Sequence, residues 1–233
     1  MKAVILASGY GTRLRPLTDK TPKCMLPIKS KPFLEYVLEY LTQNDIKDFI
    51  VKVAYKSEQF LKYKGFKKYN IEWVISDEPL GTAGEVKACI EYLKNEDDFV
   101  IYYGDTLTNL NLETLIRKHQ NNENVLTMTA YRGERSRYGV FYFDPFNRYS
   151  HFKEKPLLQH WVNCPIMIAS RRFLSYCEEG RDISKDIIPI LTEQYAIGVY
   201  RDERLKVIDI GSVDEYKKYC EEGFNLGGEK DGK

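Results

Sequence analysis

The apolar run near the amino terminus constrains this chain more than any other feature. Residues 2–8, K-A-V-I-L-A-S, hold five uninterrupted apolar side chains between Lys2 and Ser8 and stop at Gly9. A strand with one face in water alternates polar and apolar residues. A strand without that alternation is covered on both faces, as in the middle of a parallel sheet. Parallel neighbours need crossover segments between them, and the sequence supplies them. Leu34, Val37, Leu38 and Leu41 recur at helical spacing, 49–54 is a second apolar strand and 71–75 is strand-like. Residues 85–93 then read as helical, and 99–103 as a further strand ending in Gly104-Asp105. The alternation predicts an α/β fold: a doubly wound, mostly parallel sheet flanked by helices.

The second half is richer in β signals, at 125–131, 140–143 and 162–169, so the sheet is expected to be mixed. A helix at 183–191, strands at 196–200 and 205–210 and a closing helix at 213–220 follow. No internal repeat or low-complexity linker interrupts the chain. At 233 residues one large core is the expectation, here a single domain over 1–226 followed by a flexible tail at 227–233.

Charge narrows the partners. Thirty-five Lys and Arg against 34 Asp and Glu leave a net charge of +1, which gives no global field to draw in nucleic acid or an anionic membrane. No segment approaches the ~20 apolar residues of a membrane helix, and 3–7 is too short for a secretory signal core, so a cytoplasmic chain is expected. Five cysteines without a C-x-x-C pair and three scattered histidines disfavour a disulfide framework and a zinc site.

Between the first strand and the first long helix lies G-Y-G-T-R-L-R-P-L-T-D-K-T-P-K, residues 9–23. That is far longer than the ~2–6 residues usual for such a connection. Open α/β sheets bind ligands at the carboxyl ends of their strands, and Gly9 and Gly11 there let backbone N–H groups approach phosphate oxygens. Leu14 stands where a dinucleotide fingerprint needs its third glycine, and no Gly-Lys-Ser/Thr is present, so two familiar phosphate motifs are excluded.

The string L-A-S-G-Y-G-T-R-L-R-P-L-T, followed by T-P-K-C-M-L-P-I and K-P-F-L-E-Y, resembles the sugar-1-phosphate nucleotidyltransferase family. Further pieces follow in the family's order: E-P-L-G-T-A-G at 78–84, Y-G-D at 103–105, F-K-E-K-P at 152–156, Asn163, and I-D-I-G-S-V-D-E-Y at 208–216. The resemblance implies a Rossmann-like fold with a nucleotide-binding part at about 1–122 and a sugar-binding part at about 123–226. It implies attack by a sugar-1-phosphate oxygen on the α-phosphorus of a nucleoside triphosphate, with pyrophosphate as the second product. Such a phosphate is already anionic at neutral pH, its second pKa being ~6, so no histidine base is required.

By this resemblance Arg13 lies on the triphosphate and Lys23 contacts the α-phosphate region, the two catalytic cations. Leu6, Ala7, Ser8, Gly9, Gly11 and Thr12 hold the nucleotide, and Gly81, Thr82 and Gly84 belong to the base-recognition loop. Gly104, Glu154, Lys155 and Asn163 bind the acceptor, with Lys155 on the sugar phosphate. Asp105 and Asp209, each ending an apolar strand, converge on one Mg2+ at the carboxyl edge of a sheet. Cys164-Pro165, after Asn163, departs from the family's small residue and glycine. G-T-A-G looks most like guanylyltransferases acting on mannose- or heptose-1-phosphate, which favours GTP. Cytidylyl, uridylyl or thymidylyl transfer to another phosphorylated acceptor stays open, as does a non-catalytic nucleotide-sugar-binding regulatory subunit. The resemblance also makes a homodimer plausible.

Overall fold

The computed structural model describes residues 1–133, 135–136, 138–224 and 226. The strands are β1 (Lys2–Leu6), β2 (Pro27–Ile28), β3 (Lys31–Pro32), β4 (Asp48–Val53), β5 (Asn70–Ile75), β6 (Asp98–Tyr103) and β7 (Thr106–Thr108). They continue with β8 (Leu126–Tyr131), β9 (Val140–Phe143), β10 (Tyr149–Lys153), β11 (Val162–Ser170), β12 (Ile197–Asp202) and β13 (Val207–Asp209). The helices are α1 (Phe33–Gln43), α2 (Ser57–Lys62), α3 (Thr82–Ala88), α4 (Leu112–Gln120), α5 (Ile188–Glu193) and α6 (Val213–Glu222).

Seven strands form one sheet in the order β12-β8-β11-β6-β1-β4-β5. β1 is central and pairs in parallel with β4 and β6. Successive residues of β1 point to opposite faces, and both faces are covered. Ala3 and Ile5 enter the core under α1, while Val4 and Leu6 enter the core under α3. β11 runs antiparallel to β6 and β8, so the sheet is mixed as expected, with strands from both halves of the chain.

Three expectations change in detail. The helix read over 85–93 starts earlier and ends as α3 at Ala88; the chain turns at Cys89 and continues as a 3-10 turn, Ile90–Leu93. The helix read over 183–191 opens as a π-helical turn, Ile183–Ile187, before α5. Pro189 explains the irregularity, since it has no N–H for the regular ladder. The strand read over 205–210 is shorter and lies outside the main sheet: among the described residues β13 pairs only with β7, as an antiparallel ribbon. The expected tail at 227–233 lies outside the described residues.

Candidate active site

β1 delivers the chain to the carboxyl edge of the sheet at Ala7, whose N–H bonds the Lys52 carbonyl at 2.9 Å. The long loop that follows is not loose. It is three short 3-10 turns, Thr12–Leu14, Leu17–Asp19 and Lys23–Met25, anchored by fully buried Leu14. Thr18 Oγ1 donates to the Gly11 carbonyl at 2.8 Å, and Tyr55 and Gln59 donate to carbonyls of Thr18 and Lys20. Gly11 sits at φ +63°, and a Cβ there would lie 3.1 Å from Lys23 Cβ. Only glycine lets the loop double back onto Lys23 in that conformation.

The result is a cleft of about 260 Å³ above the end of β1. Leu6, Ala7, Gly9, Gly11 and Thr12 line it together with Arg13, Lys23 and Asp105. Cys24 and Gly211 also line it. Burial raises the Cys24 thiol's pKa well above its usual range, so that neighbour is a protonated, unreactive wall.

Lys23 is the centre of the site. Its Nζ lies 2.6 Å from Asp105 Oδ2 and 3.0 Å from Asp209 Oδ1. Burial opposes the charged form, but the pull of Asp105, then Asp209, and the two hydrogen bonds outweigh it, and the ammonium is held above its ordinary pKa. Burial also raises Asp209; Lys23 draws it back, and Asp105 pushes it up again. The meeting of the two aspartates has a simple origin. Asp105 follows β6 and immediately precedes β7, and the antiparallel register pairs Thr106 of β7 with Asp209 of β13. The aspartates therefore converge through a separate ribbon, not along one sheet edge. Arg13 stands exposed on the cleft wall, and among the described residues no carboxylate pairs with it.

The expected base loop is positioned by protein contacts. Gly81, at φ +74°, would place a Cβ 2.4 Å from the Arg181 carbonyl, and a Cβ at Gly84 would lie 2.9 Å from Glu179 Cα. The Thr82 hydroxyl donates to Asp182 Oδ2 at 3.1 Å and accepts from the Ile183 N–H at 2.8 Å. It thus fastens the start of α3 to the turn before α5. It does not cap its own helix, whose preceding residue is Gly81. Ser8 is buried beneath the loop, its hydroxyl donating to the Lys52 carbonyl at 3.2 Å. Gly104 is buried too, its N–H bonded to the Leu6 carbonyl at 2.9 Å.

The expected acceptor residues Glu154, Lys155 and Asn163 are exposed, and none of them lines the cleft. Lys155 holds a left-handed φ of +43° in the turn after β10. Asn163 faces Ala130 across the β11–β8 ladder, and the register shifts between Cys164 and Met167. Pro165 lies inside that shift, where its missing N–H interrupts the ladder. Cys164 itself is fully buried in the core.

A family model described as Nucleotidyl transferase matches residues 2–222. The heptose relative D-glycero-alpha-D-manno-heptose 1-phosphate guanylyltransferase of Aneurinibacillus thermoaerophilus is 33% identical over 94% of this chain and 96% of its own length. UTP--glucose-1-phosphate uridylyltransferase of a Synechocystis strain is 31% identical over 93% of this chain, which spans only 61% of that relative. Among solved structures, HddC from Yersinia pseudotuberculosis superposes with a TM-score of 0.74 at 26% identity, covering 94% of this chain and 98% of HddC. A match that runs from β1 through α6 takes in the cleft, its cations and both aspartates, and this chain belongs to the nucleotidyl transferase family.

Proposed function

We propose that this chain transfers a guanylyl group from GTP to a sugar 1-phosphate of the mannose or heptose class. The acceptor's phosphate oxygen forms a bond to the α-phosphorus as the bond to the β-phosphate oxygen breaks, and pyrophosphate leaves with the electron pair. The observation that carries the reading is the Lys23 ammonium, which lines the cleft and is held between Asp105 and Asp209, with exposed Arg13 on the cleft wall. Bringing two polyanions together and stabilising a departing one is work for fixed cations in a partly enclosed site. A protein that only sensed a nucleotide-sugar would not need both cations and both carboxylates.

In this reading Arg13 takes the β- and γ-phosphates through its planar fork, and Lys23 turns from the aspartates toward the α-phosphate as the triphosphate enters. Lys155 takes the acceptor phosphate, with Glu154 and Asn163 on sugar hydroxyls. The two aspartates fit Mg2+, because both reach a single point and no third His, Cys, Asp or Glu joins them among the described residues. Asp105 and Asp209 would hold such an ion, which needs only one or two protein carboxylates. When bound, it neutralises charge on the α-phosphate and pyrophosphate.

GTP is favoured by the heptose guanylyltransferase relative and by the HddC structure complexed with GMP-PN, which is 25% identical to this chain. Uridylyl transfer to glucose 1-phosphate is the second reading, motivated by the Synechocystis relative. A grid of the nucleoside triphosphates against mannose, heptose and glucose 1-phosphates, scored by pyrophosphate release, decides between them. Highest kcat/KM in the GTP column supports the guanylyl reading, the UTP–glucose pair supports the second, and no release anywhere overturns both.

A further inference from the structure

The reaction proposed above makes no use of Lys52, the most deeply buried lysine among the described residues. Lys52 lies in β4 and is fully buried, and an ammonium in such a place is costly unless it is bonded. Burial lowers its pKa, against the opposing influence of buried Glu85. Its Nζ donates to Ser76 Oγ at 2.6 Å and to the Val53 carbonyl at 3.1 Å. Ser76 in turn donates to the Glu78 carbonyl at 2.6 Å, the first residue of E-P-L-G-T-A-G. At its other end, the Lys52 carbonyl accepts from the Ala7 N–H at 2.9 Å and the Ser8 hydroxyl at 3.2 Å. One residue is therefore bonded both to the entry of the phosphate loop and, through Ser76, to the entry of the base loop. The first loop leaves the carboxyl end of β1 and the second that of β5, on either side of β4 in the parallel part of the sheet, the edge where open α/β sheets bind ligands.

We propose that Lys52 is a positioning residue for nucleotide binding, whose ammonium, acting through Ser76, holds the base loop in register with the phosphate loop. This rests on the nucleotidyl-transfer reading. Lys52 does not line the cleft, so its effect travels through Ser76 and Glu78. The two arms separate chemically: a side-chain substitution removes the bond to Ser76 and leaves the carbonyl bonds to Ala7 and Ser8 intact. The consequence should fall on the nucleotide, with the acceptor and the chemical step spared.

The test uses Lys52→Met, which keeps an unbranched chain of similar reach, together with Ser76→Ala and Ser76→Thr. The full chain is assayed for pyrophosphate release with each substrate varied in turn, and GTP and UTP binding is measured by calorimetry without acceptor. Losing a bond to a buried charge is expected to raise the KM and Kd of the preferred triphosphate about tenfold in Lys52→Met and Ser76→Ala. Acceptor KM and saturated kcat stay within about twofold, and Ser76→Thr, which keeps the hydroxyl, binds like wild type. A general structural role would move both substrates' constants together or fail to be rescued by threonine, and either result overturns the proposal. If Lys52→Met does not fold, Ser76→Ala alone decides: unchanged triphosphate affinity in that variant overturns it. Wild-type protein that binds triphosphate but never releases pyrophosphate overturns only the reaction, because the calorimetric comparison still reads Lys52. A wild type that binds no triphosphate overturns both.

Discussion

Replacing Lys23 with methionine keeps the reach of the side chain and removes the ammonium that two aspartates share, so it separates catalysis from folding. Removing one partner of a fully buried ion pair costs about 3–5 kcal/mol. Here the Lys23 side chain is 10% exposed, but Asp105 and Asp209 are 31% and 45% exposed. Water solvates the abandoned carboxylates, and the stability loss shrinks to about 1–2 kcal/mol. Turnover has no such relief. A cation aimed at the reacting phosphate is worth about 10²–10³-fold in kcat, so Lys23→Met melts cooperatively, slightly below wild type, and releases pyrophosphate at least a hundredfold more slowly. A second consequence follows from the geometry. Ammonium and divalent ion seek the same two carboxylates, so without nucleotide the variant binds Mn2+ about 5–30-fold more tightly, the factor equivalent to the freed 1–2 kcal/mol. Paramagnetic titration with Mn2+ reads that directly. Unchanged or weaker Mn2+ binding, or a kcat within tenfold of wild type, would show that Lys23 does not occupy the position argued for it.

Three further tests address other parts of the molecule. Gly81→Ala forces a side chain into φ +74° against the Arg181 carbonyl 2.4 Å away; a loss of about 1–3 kcal/mol in urea unfolding is expected, and a neutral result would mean that the loop is not held there. Glu35 is buried under Lys68 and Tyr63, which donate to its carboxylate at 2.7 Å each. Burial pushes its pKa up, but those two bonds win and hold it below the ordinary 4.5. Its stabilisation is therefore complete above 4.5 and lost as pH falls through the lowered value. Wild type should exceed Glu35→Gln by about 1–2 kcal/mol at neutral pH, and a gap that persists unchanged in acid contradicts the assignment. Chelation by EDTA should abolish pyrophosphate release while leaving the melting temperature unchanged, since two half-exposed carboxylates hold too little of the fold for the ion to be structural; a large drop in melting temperature would argue for a structural metal.

The elements legible in the sequence were those specified by their own residues. The unbroken apolar run of β1 required cover on both faces, and Ala3, Ile5, Val4 and Leu6 enter two different cores accordingly. The loop after β1 was legible for the same reason, because the glycines and cations that line the cleft, Gly9, Gly11, Arg13 and Lys23, lie within one short stretch. What stayed hidden depends on partners far along the chain. The Thr82 hydroxyl accepts from the Ile183 N–H across 101 residues, a contact that helix-start patterns do not report. Lys52 carries a signal of its own, a lone charge within F-I-V-K-V-A, a strand otherwise apolar throughout. A lysine there must either reach water with its tip or bond internally, and the full burial of Lys52 selects the second.

Asp209 comes beside Asp105 by a route other than the one its sequence context suggests. Its place after K-V-I resembles that of Asp105 after F-V-I-Y-Y-G, which predicts both at one sheet edge. The structure instead gives Asp209 a three-residue strand of its own, paired with β7 immediately after Asp105. A short two-stranded ribbon is marginal by itself, and this one is held by burial of Leu107 and Ile208 in the core beneath α1. Lys23 and Asp209 are 186 residues apart in sequence, so the entropy of closing that loop is met mainly by the apolar core and only secondarily by the ion pair. Shortening Leu107 or Ile208 to alanine should therefore misplace Asp209 and depress turnover more steeply than the accompanying loss of about 2–5 kcal/mol in stability implies. Activity that merely tracked the folded fraction, measured across urea, would show that the ribbon is a passive strut and that the aspartates find each other without it.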